Sequence, residues 1–147
     1  MKRPDIIQLI IEEQQKIIDS LEESVERYRI ASDLDEESTH DPEDFSQQTQ
    51  AKDLQLRFEK MLTEAEHNKT FLEKEKENVH TEVGNGSLIE TDKNWMFVGI
   101  SVPVFKVGKK ELLSFSEKAP VFESIKGKKE GEKIKIGENT FEILKFL

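Results

Sequence analysis

The stretch His80-Thr81-Glu82-Val83-Gly84-Asn85-Gly86-Ser87-Leu88-Ile89-Glu90 divides this chain of 147 residues into two different grammars. All seven glycines lie at or after Gly84, and none occurs in residues 1–83. A glycine inside a helix costs about 1 kcal/mol relative to alanine, whereas tight turns between strands call for it. The chain therefore reads as helices first and strands second, an α+β protein.

Upstream of this boundary the apolar residues are evenly spaced. Ile7, Ile11, Gln14, Ile18, Leu21, Val25 and Tyr28 alternate by four and three, a heptad seam with one polar position. Leu54, Phe58, Met61, Ala65, Asn68 and Leu72 form a second seam of the same kind. Between them, Ser32 to Asp44 is rich in Asp, Glu, Ser and Thr and contains Pro42. So short a connector predicts an antiparallel coiled-coil hairpin over residues 1–80, with an acidic tip around residues 33–44. Helices of about 25–30 residues would extend on the order of 40 Å at 1.5 Å per residue. Folding back makes a monomer the expected free form, with a parallel coiled-coil dimer as the alternative.

Downstream the period changes. Ser87–Glu90, Trp95–Ile100, Val102–Val107, Lys133–Ile136 and Thr140–Phe146 are short, β-branched and aromatic. Asn85-Gly86, Asp92-Lys93-Asn94, Gly108 and Gly137-Glu138-Asn139 punctuate them as turns. Pro120 to Lys126 suits one short helix. Residues 81–147 thus predict a small strand-rich domain that needs most of its apolar residues for a core.

Composition narrows the function classes. Hydrophobic residues make up 35% and charged residues 36%, a thin supply for a large enzyme with a deep cleft. With no cysteine, disulfide scaffolds, thiol catalysis and cysteine-bound zinc are excluded. No apolar run approaches the roughly 18–20 residues of a membrane span. The opening Met1-Lys2-Arg3-Pro4-Asp5 lacks a signal-peptide pattern, so the cytoplasm is the expected location and a membrane partner is not expected. The net charge of −9 is uneven: residues 1–80 carry 11 basic and 21 acidic side chains, residues 81–147 carry 11 and 10. An acidic first half argues against direct duplex DNA binding and suits a positively charged protein groove or a metal ion.

No phosphate-binding glycine loop, Gly-x-Ser-x-Gly or His-Glu-x-x-His occurs. His40, His67 and His80 are far apart, and the latter two read as solvated surface residues. What remains is the connector, with Asp33, Asp35, Glu36, Glu37, Asp41, Glu43 and Asp44 and no lysine or arginine from Ala31 to Ala51. Clustered carboxylates are the hard oxygen ligands that magnesium prefers. Alternatively, they form a solvated loop whose last acids favour the start of the second helix.

The second half resembles the C-terminal, FKBP-like domain of the bacterial transcript-cleavage factors GreA and GreB. That family carries Ser-x-x-Ser-Pro followed by a Gly-Lys pair and an alternating strand. This chain has Ser114-Phe115-Ser116, two extra residues, Ala119-Pro120, then Gly127-Lys128 and Gly131-Glu132-Lys133-Ile134-Lys135-Ile136. Phe141-Glu142-Ile143-Leu144 is similar to the closing strand, and the hairpin matches in architecture and approximate length. The resemblance implies a factor that is not itself an enzyme. It would hold the rim of RNA polymerase with the globular domain and insert its hairpin into the secondary channel. Acids at the tip would then help hold a magnesium ion shared with the polymerase, which cleaves its own backtracked RNA. No stably bound cofactor is implied.

Residue by residue, the resemblance assigns the carboxylate role to Asp41, Glu43, Asp44, Glu37 and Glu36, with Asp41 and Asp44 as the shared-metal ligands. It assigns polymerase binding to Ser114, Ser116 and Pro120. The family tip motif is Asp-Leu-x-Glu-Asn-x-Glu-Tyr. With Phe45 at the aromatic position, Asp44 and Asp41 take the glutamate positions and Ser38 stands where the aspartate belongs. A second register through Asp33-Leu34-Asp35-Glu36 leaves eight residues before Phe45 instead of three. Because neither register reproduces both acids and the aromatic, a channel-occupying regulator that does not promote cleavage is the alternative. A peptidyl-prolyl isomerase and a non-polymerase adaptor are more distant options. Phe115 and Phe122 read as core rather than contact residues.

Overall fold

The computed structural model describes residues 1–33 and 42–147. Two long helices, α1 (Arg3–Asp33) and α2 (Pro42–Glu75), precede the strands β1 (Leu88–Thr91), β2 (Trp95–Val98), β3 (Phe105–Val107) and β4 (Lys110–Phe115). A short helix α3 (Pro120–Ile125) and strands β5 (Lys133–Ile136) and β6 (Asn139–Phe146) complete the chain. The architecture is α+β, as expected. No helix among the described residues is long and apolar enough to cross a membrane. The chain divides into two compact units, one of residues Gln14–Thr70 and one of Met1–Glu13 with Phe71–Leu147. The change in sequence grammar at residue 80 thus marks where strands begin, while the sheet's unit also takes in the first turns of α1 and the last of α2.

In the helical unit the two helices run antiparallel. The Gln14 side-chain amide donates to the Ala65 carbonyl at 3.0 Å, Tyr28 stacks on Phe58 at 5.4 Å, and Gln48 donates to the Ser32 carbonyl at 2.7 Å. The first seam is as the spacing predicts: Gln14, Ile18 and Leu21 are buried, and Val25 and Tyr28 half-buried. The second seam is displaced. Met61 and Asn68 are exposed, and the inward face instead runs through Ala51, Gln55, Phe58, Leu62, Ala65 and Lys69. Phe58 and Ala65 belong to both readings, so a heptad through them can be completed three or four residues on. Leu62 packs against Ile18, Leu21 and Ala65, and this contact selects the second choice.

The other unit is built on a six-stranded sheet in the order β3-β4-β2-β1-β6-β5. All neighbours are antiparallel except β2 and β4, which run parallel with Trp95 opposite Leu112 and Val98 opposite Phe115. One face carries Ile89, Met96, Val98, Ile134, Phe141 and Ile143, covered by Phe122 and Ile125 of α3. Phe97, of opposite parity to Met96 and Val98, faces the other way and meets Phe71 of α2 with ring centres 6.4 Å apart. Ile6, Ile7, Ile10 and Ile11 of α1 are buried in this unit too.

β4 was not expected from the sequence. Its Lys-Glu-Leu-Leu-Ser-Phe run has no β-branched residue, and its pairing with β2 is non-local, so local propensity does not reveal it. Conversely, β3 is only three residues long, because Pro103 ahead of it has no N–H to offer a ladder.

The displaced seam can be tested directly. Met61→Lys should change unfolding free energy by no more than about 0.5 kcal/mol. Leu62→Lys should lower it by about 1–2 kcal/mol, because partly buried apolar area is lost. Urea titrations of both variants would read the difference, and the opposite ranking would restore the register through Met61.

Candidate functional site

The acidic connector begins where α1 ends. Arg29 is the last cation before it, and it is already engaged: Nη2 and Nε donate to the Glu26 carboxylate at 2.6 and 3.0 Å, and Nη1 donates to Asp33 at 3.1 Å. Hydrogen bonding from Arg29 holds the exposed Glu26 carboxyl below its ordinary range. The Ser32 hydroxyl shares its one proton between the Arg29 carbonyl at 2.9 Å and Gln55 Oε1 at 3.1 Å, so polar contacts tie the end of α1 to α2.

On the far side, Pro42 opens α2, and Glu43 and Asp44 follow in its first turn. Proline suits the first helical position, and acids there meet the positive end of the helix dipole. Glu43 is exposed. Glu36, Glu37 and Asp41 lie outside the described residues, as do Ser38 and His40. Of the proposed metal ligands Asp41 and Asp44, then, only the second has a described backbone position. Among the described residues no three His, Cys, Asp or Glu side chains stand together as a metal site. The proposed ligands Asp41 and Asp44 offer only carboxylate oxygen, which fits magnesium chemistry and offers little to softer metals.

The second candidate region is the segment from Ser114 to Pro120. Ser114 lies in β4, and its hydroxyl is occupied. The oxygen accepts from the Val102 N–H at 2.8 Å and donates to the Val102 carbonyl at 3.3 Å. This hydroxyl satisfies backbone groups that the short β3 leaves outside the ladder. Ser116 begins a turn in which its hydroxyl accepts the Lys118 N–H at 3.2 Å and its carbonyl accepts the Ala119 N–H at 3.1 Å. Pro120 is exposed at the first position of α3. Phe122 is buried and Phe115 packs against the same core, as read. Ser116 and Pro120 therefore stand on the surface turn, while Ser114 serves the fold.

A third cluster was not anticipated. Arg3, only 7% exposed, donates from Nε to the Glu75 carbonyl at 2.7 Å and from Nη1 to the Leu147 backbone oxygen at 3.0 Å. Its Nη2 reaches Glu75 Oε2 at 2.9 Å and the Gly86 carbonyl at 2.7 Å. His80 Nε2 lies 2.9 Å from the same carboxylate oxygen, and Asn78 donates to the other at 3.0 Å. His80 is thus a partly buried partner of Glu75, correcting its reading as a solvated surface residue; His67 is exposed. Burial pulls the Arg3 guanidinium below its ordinary value and Glu75 pulls it back up. Arginine nonetheless stays charged near neutrality. With all three guanidinium nitrogens donating to protein oxygens, this cluster is structural. Its sequence signal was only the pairing of a lone early arginine with a glutamate at the end of a helix 72 residues later.

No family model, curated protein or solved structure matches the chain.

The two regions make contrasting predictions. Ser114→Ala should cost about 1–2 kcal/mol of stability, since it strands the Val102 backbone groups, whereas Ser116→Ala should change stability by less than about 0.5 kcal/mol. Arg3→Met should cost about 3–5 kcal/mol by leaving the Glu75 carboxylate buried without its cation. Thermal unfolding of the three variants checks the order.

Proposed function

We propose that the chain is an RNA polymerase-binding transcription elongation regulator of the GreA/GreB type, with an FKBP-like C-terminal domain. It would act by placing its acidic connector in the polymerase secondary channel and promoting cleavage of backtracked RNA. The observation that carries this reading is an antiparallel helix pair whose connecting residues are acidic in sequence. Their nearest cation, Arg29, is already paired with Glu26 and Asp33. At 31 and 34 residues, α1 and α2 would each run about 45–50 Å, long enough to reach into a deep channel. The segment carrying the family resemblance folds as a turn, a helix beginning at Pro120 and a strand from Lys133, in keeping with its spacing.

In this reading the protein is an accessory factor with no complete active site of its own. Asp41 and Asp44 would hold a magnesium ion shared with the polymerase, and that ion would supply Lewis-acid activation of phosphodiester hydrolysis. The chain's own residues contribute carboxylate oxygens, with Glu36, Glu37 and Glu43 adding negative charge around them. Ser116 and Pro120 are the proposed rim contacts, and Ser114 would support them from β4. Duplex DNA is not a proposed partner, and the cytoplasm is the proposed location.

Ser38, standing where the family has its aspartate, favours a second reading: a secondary-channel regulator that occupies the site without promoting cleavage. One experiment separates the two. The purified protein is added to a backtracked bacterial elongation complex with magnesium, and RNA length is followed beside polymerase binding. The first reading expects shortened RNA, with Asp41→Asn/Asp44→Asn slowing cleavage by on the order of 100-fold while binding persists. Binding without shortening selects the second reading, and absence of binding rejects both.

A further inference from the structure

The chain's one tryptophan is not in the core. Trp95 opens β2, and its indole N–H donates to the Val107 carbonyl of β3 at 3.3 Å. Since β4 lies between those strands, the ring must cross over β4 on the face of the sheet. Its polar atom is spent on backbone, which leaves the apolar ring surface to line a cavity of about 320 Å³ with Met1 and Val107. Ligand pockets run from about 300 to 1,000 Å³. This one is at the small end, sized for a single large side chain rather than an extended cofactor.

The rim sets the charge of what can enter. Glu90 is held by Lys110 at 3.1 Å and by Lys145 at 3.6 Å, so its charge is answered. Lys109, in the turn between β3 and β4, makes no hydrogen bond or ion pair among the described residues. Lys109 and Lys110 line the cavity beside a single carboxylate, Glu90, so the rim is net positive. β3 is also the last strand on its side of the sheet, so an extended segment can run beside it. Apolar floor, cationic rim and open edge all describe the same occupant.

We propose that this crevice docks an extended segment of a partner protein carrying a large apolar side chain followed by acidic residues. The apolar side chain packs on the Trp95 ring and the carboxylates meet Lys109. This inference goes beyond the polymerase reading and does not depend on it.

Because Trp95 is the sole tryptophan, its fluorescence reports occupancy in the full chain. Acetyl-Leu-Phe-Glu-Glu-amide should change its emission saturably, and acetyl-Leu-Phe-Lys-Lys-amide should bind at least about tenfold more weakly. Lys109→Glu should abolish or reverse that preference with an unchanged melting temperature, since Lys109 is exposed and unpartnered among the described residues. No saturable change with either peptide, an equal response to both, or an unchanged preference in Lys109→Glu overturns the proposal. An emission shift that follows protein concentration without peptide assigns the crevice to a second copy of the chain and also overturns it.

Discussion

The sheet-bearing unit depends on one buried guanidinium. Arg3 joins the beginning of α1 to the end of α2, to the turn at Gly86 and to Leu147, segments up to 144 residues apart in sequence. A buried charge is tolerable only when its donors are satisfied, so each of these acceptors must be in place at once. The requirement extends to the residues around it. Gly86 has φ +91, and a Cβ there would sit 2.4 Å from Glu75 Oε2, so the turn that receives Arg3 has no room for a side chain. Glu75 in turn is held by Asn78 and His80 as the chain leaves α2. The ion pair by itself adds little net stability after desolvation, but its geometry admits few alternative arrangements of these segments.

The helical unit works on the opposite principle. Its buried apolar cluster is small, with Ile18, Leu21 and Ala65 flanked by Ile17, Phe58 and Leu62. Polar side chains occupy the remaining inward positions and bond across the interface, Gln14 to the Ala65 backbone and Ser32 to Gln55. Such groups contribute modestly to stability, but a slip in register would leave them buried and unpaired, so they fix how the helices align. That alignment brings the end of α1 and the start of α2 together, and the acids of the connector lie between those two ends in sequence. The proposed polymerase function requires this concentration of carboxylates on a stiff helical support.

The candidate site was legible in part. The acids were visible because seven carboxylates without a lysine or arginine in the same stretch are a compositional fact. Pro42 reads as part of the connector, yet it opens α2, because proline is favoured at the first helical position and excluded only from helix interiors. The structural role of Ser114 is not legible, because nothing near it in sequence reveals that Val102 needs its oxygen. His80 was misread for the same reason: its partner Glu75 comes within reach only when the chain turns after α2.

The sequence by itself determined the division into helices and strands, the first heptad seam, the turn positions and the acidic connector. Each depends on short-range physics: glycine's backbone freedom, proline's fixed φ, the 3.6-residue helical period and the repulsion of clustered charge. Only the tertiary structure decided which of two heptads α2 turns inward, that Lys110–Phe115 is a strand beside β2, where Arg3 is buried and what Trp95 leaves open. Those outcomes depend on contacts between residues far apart in the chain. A residue's own type and its neighbours carry no record of the partner that burial will bring to it.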